Sequence, residues 1–282
     1  MTLVVTGATG HLGRLVVPAL LAKGVPADQV VALGRDEARL AELAALGVAT
    51  RKVDYTDAAA VTEALADADR VLLISGSEVG QRVAQHQNVI DAAKAAGVEL
   101  LAYTSIPHAD TNAMLLAAEH RATEEAVLAS GLPYAFLRNS WYVENYSGQL
   151  PTYLEHGTVL GAAGDGKVSV ATRADFAEAA AAVLVAEQPK QVYELGGPAV
   201  TLTELAATVS EVTGQQVSYT DVPAAELQKV LEGAGLPEQY AAVLADADLG
   251  LGRGELQVDP ADLESLLGRP ATPLADGLRA AL

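Results

Sequence analysis

The stretch Thr6-Gly-Ala-Thr-Gly-His-Leu-Gly13 sets glycines at 7, 10 and 13, directly after a β-branched run and directly before a run rich in Ala and Leu. A strand, a glycine turn and then a helix is the context that a dinucleotide pyrophosphate requires. Gly7 permits a tight turn out of the strand, Gly10 lets phosphate approach the backbone, and Gly13 lets the helix pack close to the sheet. The helix N-terminus adds free N–H groups and a partial positive charge. The second strand is expected to end at Leu33-Gly-Arg-Asp36. A cofactor with a free ribose 2′-hydroxyl usually meets a carboxylate at this strand end, about 20 residues after the glycines. Here Arg35 holds the tip, and a permanently charged fork suits a 2′-phosphate. NADP, as NADPH, is therefore the expected cofactor, with Asp36 capping the next helix. The alternative is that Arg35 is an exposed charge and Asp36 reads the ribose.

Further chemistry-bearing residues follow the later strands. Asp54-Tyr55 either borders an adenine or simply turns the chain into the next helix. Ser75-Gly-Ser77 is small enough for a nicotinamide-side ribose to lie against its backbone, and Glu78 is expected to start the next helix. Asn139-Ser-Trp-Tyr-Val-Glu-Asn-Tyr146 reads as a polar and aromatic loop. Trp141 and Tyr142 can stack on a flat acceptor; Trp141, the single tryptophan, can equally plug a seam between lobes. Asn139 and Asn145 can bond a nicotinamide amide or an acceptor oxygen, or can cap the loop. Arg173 opens a helix, where the dipole disfavours a cation, which points to a phosphate or to Asp175 as its partner.

No acid–base pair for carbonyl reduction is present. Tyr103 is followed four places later by Pro107, and no Tyr-x-x-x-Lys occurs. His120 is expected to pack or to pair with Glu124, and His108 is either a proton donor or a solvent-exposed loop histidine. No catalytic residue is assigned. The histidines at 11, 86, 108, 120 and 156 form no H-E-x-x-H pair and there is no cysteine, so no metal site is expected.

These residues need a scaffold. Strands are expected at Leu3–Thr6, Val30–Leu33, Val48–Val53, Arg70–Ile74, Glu99–Thr104 and Tyr134–Arg138, alternating with helices near 12–23, 37–46, 57–66, 79–96 and 113–129. Continuous apolar strands that alternate with helices imply a parallel sheet covered on both faces. The right-handed crossover then gives an α/β, Rossmann-type doubly wound parallel sheet. Asp57 and Thr201 are expected N-caps, and Gly97 and Gly131 expected helix ends. Residues 1–138 are read as the NADP-binding domain. Residues 139–282 are read as a mixed segment: one sheet strand at about 192–195, and a smaller, mostly helical C-terminal lobe with helices near 173–187, 202–213, 224–233, 237–247, 260–267 and 273–281. A ligand cleft is expected between the two parts.

Composition limits the partners. The formal charge of −18 repels nucleic acid and anionic membrane, so neither is expected, and an anionic cofactor must be met by local positive charge. Apolar runs are far shorter than the ~20 residues of a membrane span. The absence of cysteine and of a basic leader before Leu3 fits a cytoplasmic protein. The sequence assigns no oligomeric state.

In five stretches the chain resembles the NmrA-like group of atypical short-chain dehydrogenases, and within it the bacterial type 2 NADPH-dependent quinone oxidoreductases. They are Thr6–Gly13, Leu73-Ile-Ser-Gly-Ser-Glu-Val-Gly-Gln-Arg82, Ala102-Tyr-Thr-Ser105, Leu137–Tyr142 with Glu144-Asn-Tyr146, and Gly161–Lys167 with Thr172-Arg-Ala-Asp175. They run in order over most of the chain. The glycine motif is generic; the Ser75–Arg82 stretch and the Asn-Ser-Trp-Tyr loop are specific. The resemblance implies hydride transfer from NADPH to a quinone. It implies cofactor contacts at Gly7, Ala8, Thr9, Gly10, His11 and Leu12, with Gly13 behind them; at Arg35; at Ser75, Gly76 and Ser77; at Asn139, Ser140, Trp141, Tyr142, Val143 and Glu144; and at Thr172 and Arg173. Trp141, Tyr142 and Asn145 are the expected acceptor contacts. His11 is a departure, since the group carries Gln there. A quinone needs no positioned acid, because water can protonate the weakly basic phenolate, so the enzyme supplies mainly proximity and orientation. Two other readings remain: reduction of a triarylmethane-type dye, and an NADP(H)-sensing regulator without turnover.

Overall fold

The computed structural model describes all residues from 1 to 282. Runs of Val, Leu and Ala that show no polar face can only be buried on both sides. In the first half such runs supply β1 (Leu3–Val5) and β2 (Val30–Gly34), the more exposed β3 (Ala49–Lys52) takes the sheet edge, and apolar runs again supply most of β4 (Arg70–Leu73), β5 (Leu100–Ser105) and β6 (Tyr134–Asn139). Every residue of β1, β2 and β5 is buried. The connecting helices are α1 (Gly13–Ala22), α2 (Glu37–Ala44), α3 (Ala58–Leu65), α4 (Arg82–Ala96) and α5 (Leu115–Ser130). The Asp36 and Asp57 side chains cap α2 and α3, and Gly97 and Gly131 end α4 and α5 in the left-handed region at φ 69° and 74°.

The second half runs β7 (Trp141–Tyr142), α6 (Val143–Ser147), α7 (Leu150–His156), β8 (Thr158–Gly161), β9 (Lys167–Ala171), α8 (Arg173–Val185), β10 (Val192–Leu195), β11 (Ala199–Thr201), α9 (Leu202–Thr213), β12 (Ser218–Asp221), α10 (Ala224–Gly233), α11 (Glu238–Gly252), α12 (Ala261–Leu267) and α13 (Leu274–Arg279). Thr201 caps α9 in a reciprocal box with Glu204.

The main sheet has seven strands in the order β10-β6-β5-β4-β1-β2-β3, and each neighbouring pair is parallel. β10 returns from the second half to lie beside β6, pairing Val192 with Phe136 and Leu195 with Asn139. One face of the sheet packs Leu3, Val5, Leu72 and Leu137 with Val16, Leu20 and Phe176 from α1 and α8. The run of alanines in α8 lets those helices lie close. The other face packs Val4, Leu33, Leu73 and Tyr103 with Val61, Val89, Ile90 and Val127 from α3, α4 and α5. A third core, with Ile106, Met114, Val143, Val170, Leu205 and Leu251, joins the end of the first half to the second lobe.

The second half carries more strand than the sequence suggests. The expected loop at 139–146 contains β7 and α6, and small sheets form in the orders β11-β9-β7 and β12-β8. These strands have two to five residues, and each exists through a partner remote in sequence, as when Ser218 pairs with Thr158. α4 begins at Arg82, so Glu78 does not open it.

Candidate cofactor cleft

The chain leaves β1 towards β2 on one side, while β4 lies on the other, so the strand order reverses at β1. Ligands of open α/β sheets bind at such a reversal, outside the carboxyl ends of the strands. A cleft of about 490 Å³ opens there. Its walls come from the glycine turn (Gly7, Thr9, Gly10, His11, Leu12), the β2 tip and α2 (Arg35, Asp36, Arg39), and Asp54 and Tyr55 after β3. Ser75, Gly76, Ser77 and Glu78 after β4 add a further wall, and Tyr142 and Arg173 complete it.

The turn is built for close approach. Gly7 sits at φ 59°, and its carbonyl accepts the Gly10 N–H at 2.9 Å. A Cβ on Gly13 would overlap the Gly7 carbonyl and Ala8, so α1 starts directly on the turn. A Cβ on Gly34 would overlap the Thr9 side chain. The N–H groups of His11, Leu12 and Gly13 donate to no acceptor in the protein, which leaves oriented donors facing a ligand at a helix start.

Positive charge gathers here in a chain of net charge −18. Arg39 Nη1 donates to the Thr9 carbonyl at 2.7 Å and its Nε lies 3.5 Å from Asp36. Partial desolvation, and then the guanidinium groups of Arg173, Arg14 and Arg39, hold the His11 imidazole below its usual pKa. Arg35 Nη1 donates to Glu78 Oε1 at 2.6 Å and lies 3.6 Å from Asp54 Oδ2. That bond to Arg35 holds the Glu78 carboxyl below the ordinary carboxylate range. Tyr55 closes the floor, with its hydroxyl donating to Thr6 Oγ1 at 2.5 Å; burial pushes its pKa up.

The wall at 75–80 hangs from the inner face of α4. His86 Nε2 accepts the Gly76 N–H at 3.0 Å, so the proton of this imidazole sits on Nδ1, which donates to Thr123 Oγ1 at 3.0 Å. Burial lowers the His86 pKa to about 3, which keeps the ring neutral. Arg82 Nε donates to the Gly76 carbonyl at 2.7 Å, and Gln85 Nε2 donates to Glu78 Oε2 at 2.8 Å. Glu119 of α5 accepts the Gly80 N–H at 2.8 Å and lies 3.4 Å from Arg82.

On the opposite side the Arg173 guanidinium lies 5.0 Å over the Tyr142 ring and donates to Asn145 Oδ1 at 3.2 Å. The Arg173 N–H is accepted by the Glu144 carboxylate at 2.9 and 3.0 Å. Asp175, its other expected partner, is taken by Arg269 at 3.0 Å. Thr172 caps α8 through its side chain. Ser140 is buried and donates to the Leu256 carbonyl, Val143 is buried in the third core, and Ala8 is buried in the first. Trp141 packs against the third core and is not among the residues that line the cleft. Asn139 ends β6 with its Oδ1 buried and unpaired, and the buried Ser105 Oγ at the end of the adjoining β5 is unpaired too.

The histidines outside the cleft have other duties. His120 Nδ1 bonds the Tyr103 hydroxyl at 2.8 Å rather than Glu124, whose carboxylate is held by Arg138 at 2.7 Å. Tyr103 is fully buried, and burial raises its pKa. His108, at φ 51°, donates its Nε2–H to the Gln257 carbonyl at 2.9 Å, which ties the two lobes together.

The arrangement suits a phosphorylated dinucleotide. The turn supplies free N–H groups and a cradle that Cβ atoms would fill, and Arg35 after β2 and Arg39 of α2 supply guanidinium groups. The sequence reading missed Arg39, Arg82, Gln85 and His86. A signal for them exists: Arg39 lies four residues after Arg35, and Arg82, Gln85 and His86 occupy i, i+3 and i+4 on a face that ought to be apolar.

The profile of the NmrA-like family matches residues 1–268. Quinone oxidoreductase 2 of Escherichia coli (strain K12) is 50% identical over 276 residues, 97% of this chain and 96% of that protein. A crystal structure of an NADPH-dependent quinone oxidoreductase from Escherichia coli complexed with NADPH superposes with a TM-score of 0.95 at 49% identity, over 99% of each chain. The triphenylmethane reductase of Citrobacter sp. complexed with NADP(H) superposes at 0.93 with 37% identity, over all of both chains.

Proposed function

The chain belongs to the NmrA-like family, and from that premise we propose that it is an NADPH-dependent quinone oxidoreductase. NADPH supplies a hydride and the quinone accepts it. The observation that carries this reading is the pairing of whole-length likeness to the Escherichia coli enzyme with a cleft whose guanidinium groups and free N–H groups match a 2′-phosphorylated dinucleotide.

In this reading the N–H groups of His11, Leu12 and Gly13 hold the pyrophosphate, Arg35 and Arg39 hold the 2′-phosphate, and Ser75, Gly76 and Ser77 border the nicotinamide-side ribose. Tyr142 and Asn145 face the acceptor, and Asn139 orients the nicotinamide amide or the quinone oxygen. No side-chain acid is required, since Tyr103 is sealed in the core and the reduced quinone is stable without one. Residues 1–138 form the cofactor-binding domain in this reading, and the remainder supplies β10 and the acceptor-side lobe. A cytoplasmic location is supported by the lack of cysteine. No helix is long and apolar enough to cross a membrane.

NADPH oxidation followed by absorbance, with a panel of small quinones and with NADH as control, tests the proposal. Oxidation that depends on both NADPH and quinone is the expected result. Tight NADPH binding without turnover on any quinone would shift the assignment to the sensing regulator; turnover only with triarylmethane dyes would shift it to a dye reductase.

A further inference from the structure

Arg35 and Glu78 reach the same cleft from opposite sides. Arg35 follows the tip of β2 and Glu78 belongs to the turn after β4, with β1 between those strands. Both oxygens of Glu78 are engaged: Oε1 accepts from Arg35 at 2.6 Å and Oε2 accepts from Gln85 at 2.8 Å. Gln85 sits on the buried face of α4, so the carboxylate is held at a fixed place. Asp54 approaches the same guanidinium at 3.6 Å. The Arg35 side chain is nevertheless 60% exposed, and so open to a second anion.

A phosphate arriving at Arg35 thus finds two carboxylates in place. It gains a guanidinium fork but must draw it away from Glu78 and tolerate the nearby negative charge. A ribose that carries only hydroxyls meets no such competition, because a hydroxyl can donate to a carboxylate that remains bonded to Arg35. Resting on the NADPH reading above, we infer that Glu78 is a specificity-determining residue, whose carboxylate occupies Arg35 until a 2′-phosphate displaces it and thereby narrows the preference for NADPH over NADH. The selectivity of the site is the attraction of Arg35 reduced by the competition of Glu78. Gln85 acts through Glu78 as a positioning residue.

The test measures binding without turnover, by calorimetric titration of 2′-phospho-ADP-ribose and ADP-ribose into the full chain. Wild type, Glu78→Gln, Arg35→Ala and the double variant are compared. Exposed ion pairs are weak, so Glu78→Gln is expected to tighten 2′-phospho-ADP-ribose by about three- to tenfold and to leave ADP-ribose within about twofold. The gain vanishes in the Arg35→Ala background and shrinks at high salt, as screening requires. Asp54→Asn, at the longer distance, shifts binding in the same direction by less. Weaker or unchanged binding of 2′-phospho-ADP-ribose to Glu78→Gln overturns the inference, as does an equal shift for both ligands. Wild type that binds the two ligands equally overturns the NADPH reading itself, a result distinct from failure of the Glu78 substitution.

Discussion

His86 holds Gly76: its Nε2 takes the Gly76 N–H at 3.0 Å, from a helix that otherwise packs against the sheet. A buried histidine thereby fixes the height of the loop against which a ribose must lie. His86→Leu keeps the bulk but leaves the Gly76 N–H and the Thr123 hydroxyl without this partner. A loss of about 1–3 kcal/mol in urea denaturation is expected, with weaker NADPH binding. The pH dependence has a definite sign. The folded ring titrates at about 3 against an ordinary value of 6.5, so below 6.5 the unfolded chain takes up a proton that the folded chain refuses. Stability therefore falls as pH drops from 6.5 towards 3, and the Leu variant loses the His86 share of that slope while buried His120 keeps its own. Unchanged denaturation profiles in the variant would remove His86 from this role.

Arg35→Ala is expected to weaken NADPH by roughly 10- to 100-fold, the range for a lost charge-assisted contact, and NADH by far less. Arg39→Ala shifts both cofactors, because Arg39 also ties Thr9 of the glycine turn. Fluorescence titration of each cofactor checks both statements, and equal losses with Arg35→Ala would break its assignment to the 2′-phosphate.

Asp248 gives a pH effect of the opposite sign. Burial raises its carboxyl to about 6, although it accepts the Ala162 N–H at 2.8 Å. Between about pH 4 and 6 the folded chain keeps a proton that the unfolded chain has released, so stability falls as pH rises through that window. Asp248→Asn retains an acceptor for Ala162 and removes the charge. It is expected to flatten the profile and to add roughly 1–2 kcal/mol at pH 7. Denaturation at pH 5 and pH 7.5 reads the difference.

Tyr103→Phe tests whether this buried hydroxyl takes part in turnover. The hydroxyl is buried, bonds His120 at 2.8 Å and does not border the cleft, although the Ser75 side chain of the cleft wall lies beside it. Turnover with a quinone is expected to stay within about twofold, while the lost hydrogen bond costs about 1 kcal/mol of stability. A drop of a hundredfold or more in kcat would make Tyr103 a proton donor after all.

Gly13→Ala probes the start of α1. The added methyl meets backbone atoms of Gly7 and Ala8, which cannot yield as a side chain would. A lower Tm, equivalent to about 1–3 kcal/mol or more, and a damaged cofactor site are expected. A variant with the Tm and NADPH affinity of wild type would show that the turn can shift.

The first half of the fold could be read from the sequence because its signals are local. Fully buried strands such as β2 and β5 have no polar face to confuse them with loops, and Asp57, Gly97 and Gly131 announce helix ends through their own backbone geometry. The small strands of the second lobe have no local signal: Ser218–Asp221 is largely exposed and is a strand only because Thr158–Gly161 lies beside it. The cleft divides in the same way. Gly7, Gly10 and Arg35 could be found from spacing alone. Glu78 could not, because its place as a helix starter and its place as the partner of Arg35, 43 residues away, look identical in one dimension. Arg82 and His86 were hidden for a different reason: they put polar groups on the buried face of α4 to hold a loop, against the usual pattern.

The position of β10 has a consequence for how the protein is made. The ribosome finishes β6 at Asn139, but the strand that covers its open edge is not complete until Leu195. At about 5–20 residues per second, translation of the intervening segment takes roughly 3–11 seconds. Throughout that interval the nascent chain presents the unpaired main chain of β6 to its surroundings, and such an edge is a template for pairing with another chain. Slower translation after residue 139 lengthens the exposure, and faster translation shortens it. Yield in the cell is expected to follow the pace of synthesis across that stretch, and expression with slowed codons between 140 and 195 measures it.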